Sequence, residues 1–415
     1  MRIYCTALFF LLLVARGSAQ PGCTDPQALN FAPDATANDG SCVYPLTGYT
    51  LTLESELSGT LKEISGLSTG GNGRWWAHND SGSDEEFFRI NPENGDIEQT
   101  VTLDNAHHRD WEDMGADAQN LYIGDFGNNN NDRQNLGVYI VPFAFIGNGN
   151  SPTVEEFEWS FLPFSYADQT DYSTRPEDST VYDCEAMMVR EGAVHLFTKN
   201  RRDYKTTHYR INPSNNAAEI VEMFDSDGLI TGAALSPDGK LIALTGYDLR
   251  PFIPTVFCWL LWDWPTGTDL FFSGNKRRIE LGTALQVGQV ESIAFHSNRG
   301  AWLANERTTF NGVTLVDESL WNFDAGAWVP ESVGAGDLQT EELRVFPNPA
   351  SSQIRVSIAA ENQSGTLRLR NQLGQTVLHA QAHTGTLDVG NFPAGMYVVE
   401  LESGGVLYRA RVLKQ

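Results

Sequence analysis

The chain has 415 residues, enough for two or three domains, and carries 53 Asp and Glu against 28 Lys and Arg, a formal charge of −25. That imbalance, with no run of Lys or Arg to offset it, excludes a nucleic-acid-binding surface, which needs clustered cations against phosphate. Abundant Gly, Asn and Asp with a high aromatic content suit short strands joined by tight turns.

In chain order the first element is a processing signal. Arg2 supplies a positive start, Leu8 to Val14 an apolar run, and Gly17-Ser18-Ala19 a small-residue cleavage site, so residues 1–19 read as a signal peptide cleaved after Ala19. No later apolar run is long enough to span a membrane as a helix; Phe252 to Trp264 is broken by Pro254 and Asp263. Residues 20–46 form a short Asp/Asn/Pro-rich module bounded by Cys23 and Cys42. Export and the lack of a core of its own predict a disulfide between them. Cys184 and Cys258 lie in separate units and read as buried free thiols. Asp25, Asp34 and Asp39 are candidate Ca²⁺ ligands on a turn-rich loop, with Asx-turns that bind nothing as the alternative. This module resembles a cysteine-bounded repeat of secreted bacterial surface proteins.

Residues 47–333 carry a recurring unit. Each begins with a polar head on a short apolar strand: Ser65, Glu112, Glu185, Thr231 and Glu291. A turn such as Ser236-Pro237-Asp238-Gly239 follows, then a second strand such as Leu121-Tyr122-Ile123 or Ala301-Trp302-Leu303. Third strands are expected at Phe87 to Ile90, Val138 to Val141, His208 to Ile211 and Ser319 to Phe323. Units of this length with about four strands each predict an all-β fold, a β-propeller of five blades with six left open. The wide interval between Glu112 and Glu185 is expected to hold an outer hairpin over Glu155 to Phe164. The strand at Tyr49 to Leu53 is expected to close the ring beside the last blade.

In a propeller the innermost strand starts at the face where the second strand ends, so heads and second-strand ends meet around one mouth of the central channel. The heads bring Asp110, Glu112, Asp183, Glu185 and Glu291; the second-strand ends bring Asp80, Asp125 with Asn128, Lys199, Asn305 and Glu306. Carboxylates gathered this way raise one another's pKa unless a cation compensates. Lys199, Arg133 or a bound Ca²⁺ would do so, and Glu112, Glu185 and Glu291 are the expected metal ligands. If the protein is an enzyme, Asp110, Glu112 or Glu185 would act as general base. The plainer alternative makes such side chains staples that bond backbone N–H groups of neighbouring blades. His107-His108 read as solvated, and Trp75-Trp76 with Trp259 to Trp264 as blade packing. No nucleophile elbow, zinc-protease motif or phosphate loop occurs.

Asp-Trp-Glu-Asp-Met at 110–114, Tyr-Ile-Gly-Asp at 122–125, Asp-Cys-Glu-Ala-Met at 183–187 and Glu-Ser-Ile-Ala-Phe at 291–295 resemble a group of largely uncharacterised exported bacterial propellers. More distantly they resemble phytase-like esterase and gluconolactonase-like propellers, which implies Ca²⁺ held by carboxylates and Asn at the mouth. Ser65 and Thr231 head two units, so the carboxylates form an arc and not a ring.

The final segment, 337–415, changes to a compact β-sandwich pattern. Arg344-Val345-Phe346-Pro347-Asn348-Pro349, Leu373-Gly374-Gln375 and Pro393-Ala394-Gly395-Met396-Tyr397 occur in order. This segment resembles the C-terminal sorting domain of the type IX (Por) secretion system of the Bacteroidetes. The resemblance implies passage through the outer membrane by that machinery, removal of the domain by its sorting peptidase, and release or attachment to surface lipopolysaccharide. The expected function is therefore an exported propeller, secreted or held at the cell surface, that binds a small polar ligand or Ca²⁺ at its acidic mouth. A Ca²⁺-dependent hydrolase of phosphoesters or lactones and an inert structural protein are the alternatives.

Overall fold

The structure is a computed structural model that describes residues 20–70, 73–176, 179–329, 340–357, 366–371, 376–381, 385–403 and 406–415. The signal-peptide reading of residues 1–19, the start of the last segment at 337 and the Leu373-Gly374-Gln375 element lie outside the described residues. Two units divide the chain, Met1–Glu331 and Ser332–Gln415.

Five antiparallel blades build the first unit. Their innermost strands are Ile64–Gly70, Trp111–Ala116, Cys184–Arg190, Leu229–Leu235 and Gln289–Phe295. Each packs against the next, and the last packs back on the first, which closes the ring at five blades and sets aside the sixth. The expected third strands are present at Glu86–Ile90, Gly137–Pro142, Thr206–Asn212 and Ser319–Asp324.

The ring is fastened at its ends by pairing. Thr52–Glu56, close to where a closing strand was expected, forms the outer strand of blade 5 beside Ser319–Asp324. The wide interval in the sequence holds neither a sixth blade nor an outer hairpin. Thr153–Val154 adds to the edge of blade 1, Ser160–Pro163 is the fourth strand of blade 2, and Ser165–Tyr166 adds to blade 3. Each short piece satisfies a neighbouring edge, so the segment straps three blades from outside. Apolar clusters fill the spaces between blades; one joins Trp76, Phe87, Trp111 and Tyr139 between blades 1 and 2. Trp75 packs tilted against Trp302 with ring centroids 4.1 Å apart, between blades 1 and 5.

The N-terminal module sits on the outer edge of blade 4. Cys23 and Cys42 form its disulfide, Arg277 reaches Gln27, and Tyr44 packs on Trp262. Asp25 accepts from the Gln27 N–H and Asp39 from the Ser41 N–H, which are turn contacts, and Asp25 also accepts from the Tyr44 hydroxyl across the module. Cys184 and Cys258 are free and buried.

The second unit is a two-sheet sandwich around Ile354, Leu367, Leu369, Leu387, Val399 and Val412. Its Pro-Asn-Pro element has a structural reason: Asn348 bonds the backbone of Arg411 and Leu413 on the last strand. Tyr397 likewise donates its hydroxyl to Pro393 within the Pro-Ala-Gly-Met-Tyr element.

Candidate functional site

Every innermost strand carries a register shift at the same place. The shifts span Ile64/Gly66, Ile123/Asp125 opposite Glu112 and Asp113, Cys184/Ala186, Ile230/Gly232 and Val290/Ser292. The heads Ser65, Glu112, Glu185, Thr231 and Glu291 are thus the extra residues of five β-bulges. A bulge leaves one residue outside the ladder and re-aims its side chain.

The hydroxyl heads and the carboxylate heads divide the work. Ser65 donates to the Glu112 carbonyl of blade 2, and Thr231 to the Val290 carbonyl of blade 5 at 2.7 Å. These are clasps between blades. Asp113 is a third clasp, fully buried, accepting from the N–H of Met114 and Met187 at 2.8 Å and of Ala233 at 3.3 Å. Its bonds reach the inner strands of blades 3 and 4, so its carboxyl lies across the channel below the heads. Beyond it is a narrow cavity of about 70 Å³ lined by Leu67, Met114, Met187, Ala233 and Ile293.

The second-strand ends meet the heads as expected. The N–H groups of Asp80, Phe126 and Lys199 donate to the carbonyls of Glu63, Asp110 and Asp183, the residues leading into the bulges. This brings carboxylate oxygens of Asp80, Asp110 and Glu112 within 4.8 Å of one another. Gly127 lies directly beneath: a Cβ there would sit 2.0 Å from a Glu112 oxygen and 2.3 Å from an Asp110 oxygen. Of the expected metal trio only Glu112 belongs to this cluster. Glu185 is engaged by the Lys199 ammonium, which also lies 5.2 Å from the Tyr247 ring centroid. Glu291 is buried nearer Lys199 and Glu306.

Other expected residues are held in the framework. Asp125 is paired with Arg133 at 2.7 Å and accepts from the Asp110 N–H. Asn128 donates its N–H to Asp183 at 2.8 Å and its amide to Tyr182. Asn305 donates to Glu306 and Asp317 and accepts from Trp321. His108 stacks on Trp111 and contacts the Asp84 carbonyl, so it is half-buried where solvation was expected.

The mouth holds excess negative charge out of water. Burial first, then Glu185, push Asp80 up to about 6. Burial, then Asp80, push Asp110 up to about 7 in spite of Arg133. Glu112 is held well above the carboxylate range by burial and by Glu185, Asp80 and Asp110. Burial and like charge raise Asp183, Glu291 and Glu306 as well. For Lys199 burial pulls downward, but Glu185, Tyr247 and Glu291 outweigh it and keep the ammonium charged. Sequence reasoning passed over Asp113 and Gly127. The signals were there: an acid directly after a head, and a glycine where the second strand leaves for the mouth.

Comparison with known proteins decides the second unit. Residues 344–415 match the family described as the secretion system C-terminal sorting domain. The tail is a Por sorting domain. Such a domain marks a protein exported by the type IX system to the cell surface or beyond, and no helix among the described residues is long and apolar enough to cross a membrane. An endo-acting ulvan lyase of Formosa agariphila is 30% identical over 97 residues, 23% of this chain and 18% of that protein. Among solved structures, PorZ, a bacterial surface component of the type IX system of Porphyromonas gingivalis, is 12% identical with a TM-score of 0.30. The match covers 85% of this chain and 45% of PorZ. The PQQ-bound aldose sugar dehydrogenase of Streptomyces coelicolor is 9% identical with a TM-score of 0.38, covering 68% of this chain and 99% of the enzyme. The chain therefore spans less than a fifth of the lyase and less than half of PorZ.

Proposed function

We propose that this sorting-domain protein is an exported recognition propeller whose acidic mouth binds a cation, with Ca²⁺ held by Asp80, Asp110 and Glu112. The observation that carries the reading is the convergence of carboxylate oxygens of those three residues within 4.8 Å. Hard oxygen donors of this kind suit Ca²⁺, and a bound cation would relieve the repulsion that raises their pKa values. After export, the tail is removed by the sorting peptidase and the propeller is released or attached to surface lipopolysaccharide.

Calorimetric titration of the exported chain with Ca²⁺ tests the site. Binding is expected for the wild type and at least tenfold weaker binding for Glu112→Gln. Gly127→Ala is expected to weaken binding comparably, because its methyl group displaces the Asp110 and Glu112 carboxylates. No heat, together with no change of thermal midpoint on adding chelator, would remove the metal reading. A second reading, a Ca²⁺-dependent hydrolase of phosphoesters or lactones, is favoured by the same convergence: with a cation on two of these three carboxylates, the third stands beside it to act as general base on water. Turnover of such esters, abolished by Asp110→Asn or Glu185→Gln, would establish it.

A further inference from the structure

An exposed apolar crest adjoins the mouth at blades 4 and 5. Three segments leave the mouth end of blades 4 and 5: the loop 249–254 after the second strand of blade 4, the short helix Ala284–Val287, and the hairpin of Thr308–Phe310 with Val313–Val316. They are joined to one another. The Ala284 N–H donates to the Pro254 carbonyl at 2.8 Å, and the helix packs against Val313–Val316. Gln289, just past the helix, donates to Glu306 at 2.8 Å and ties the group to the mouth.

These segments expose what a soluble surface normally covers. Phe252 is fully exposed, and Ile253, Leu285, Phe310, Val313 and Leu315 are exposed with it. The hairpin turns on Asn311-Gly312, both at positive φ, the two-residue turn that matches strand twist. A lone two-stranded hairpin is marginal in water, and this one directs Phe310 and Val313, paired across the strands, into solvent. Contiguous exposed apolar side chains rimmed by polar groups mark an interaction site.

Charge selects the occupant. Arg250 beside the crest is engaged by Asp227 and Asp248, and Arg307 by Glu318 and Asp317. Acidic groups outnumber basic ones in what the crest adjoins: at the mouth edge Glu291 and Glu306 share the Lys199 ammonium, which Glu185 already engages. An anionic lipid or lipopolysaccharide face would be repelled by this field. We propose that the crest docks a basic polypeptide segment with apolar flanks, its apolar side chains resting on Phe252 and Phe310 while its cationic side chain enters the mouth beside Glu306. The proposal rests on the reading of the mouth as a cation site and names the class of cation a partner would present.

The test uses the full exported chain and a fluorescein-labelled peptide of alternating Lys, Leu and Phe, followed by anisotropy. Companion peptides carry Ser for the apolar residues or Glu for Lys. Binding is expected for the first peptide, weakened by salt, and at least tenfold poorer for both companions. The double variant Phe252→Ser/Phe310→Ser, which changes only exposed side chains, and Glu306→Gln should each lower affinity at least tenfold. Phe157→Ser, at an exposed phenylalanine in another segment, should leave it unchanged. Equal binding by the double variant, or an equal loss in Phe157→Ser, overturns the proposal; so does sedimentation of the chain with phosphatidylglycerol vesicles in place of peptide binding. Peptide binding that needs both Phe252/Phe310 and Glu306 in a chain that gives no heat with Ca²⁺ upholds the crest and removes only the metal assignment. Indifference to Glu306→Gln removes the shared mouth and the proposal together.

Discussion

Asp110 shows how one side chain links fold to function. Its carbonyl closes the mouth against Phe126 and Gly127, while its carboxyl faces Asp80 and Glu112. Burial and like charge raise its pKa to about 7, above the roughly 3.9 of an unfolded aspartate. The folded state therefore binds more protons than the unfolded state between about pH 4 and 7, and stability from this group falls as pH rises through that window. Asp110→Asn removes the penalty. The variant is expected to melt above the wild type at pH 8 in chelator and to lose that advantage at pH 4, as read by differential scanning calorimetry. Saturating Ca²⁺ should abolish the gain at pH 8, because the cation supplies to the wild type what the amide supplies to the variant. A midpoint difference independent of pH would contradict this account. Lys199 works the other way: removing it would leave Glu185 buried among like charges, the case in which losing one partner of a buried pair costs about 3–5 kcal/mol.

At the scale of elements, the bulge is the unit that repeats. The five heads were legible because each precedes a short apolar strand, and the structure makes each of them the residue outside the ladder. Their division of labour was not legible. Ser65 and Thr231 look like gaps in an acidic ring, yet they are clasps, and only the partner carbonyls in neighbouring blades reveal it. The outer hairpin expected over Glu155 to Phe164 failed for a related reason. Two-residue edge pairings such as Thr153–Val154 with Thr102 and Leu103 leave almost no periodic pattern in a sequence. Closure of the ring did leave one, since Thr52–Glu56 is a strand pattern without a unit of its own. Its loss opens the outer edge of blade 5 and exposes the backbone of Ser319–Asp324. A chain lacking residues 20–56 is expected to melt lower, by about 2–4 °C for each kcal/mol lost. Hydrogen exchange should quicken first in Ser319–Asp324 and last in the inner strands. Uniform quickening across all blades would show that the strand does not act as a local fastener.

For the whole molecule, sequence and structure separate two tasks that need not share stability. The propeller has its own ring of inter-blade cores, and the sandwich has its own core around Leu367 and Val399. The sorting domain was readable because its identity rests on short motifs whose residues make specific local bonds, as Asn348 and Tyr397 do. The mouth is harder to read, since its chemistry comes from distant segments of different blades brought together by ring closure. Export also sets the affinity such a site needs. Extracellular Ca²⁺ modules work at dissociation constants of about 10⁻⁴–10⁻³ M, weaker than cytosolic sensors, and three carboxylates whose burial and mutual repulsion favour their protonated forms fit that range better than a tight site. A chain ending at Glu331 is therefore expected to keep the thermal midpoint and Ca²⁺ affinity of the full chain while remaining in the periplasm of a bacterium with the type IX machinery. Fractionation and calorimetry on the same pair of chains check both halves. A truncated chain that still reaches the outside would mean that export information also resides in the propeller, and one that loses Ca²⁺ binding would mean that the mouth needs the tail.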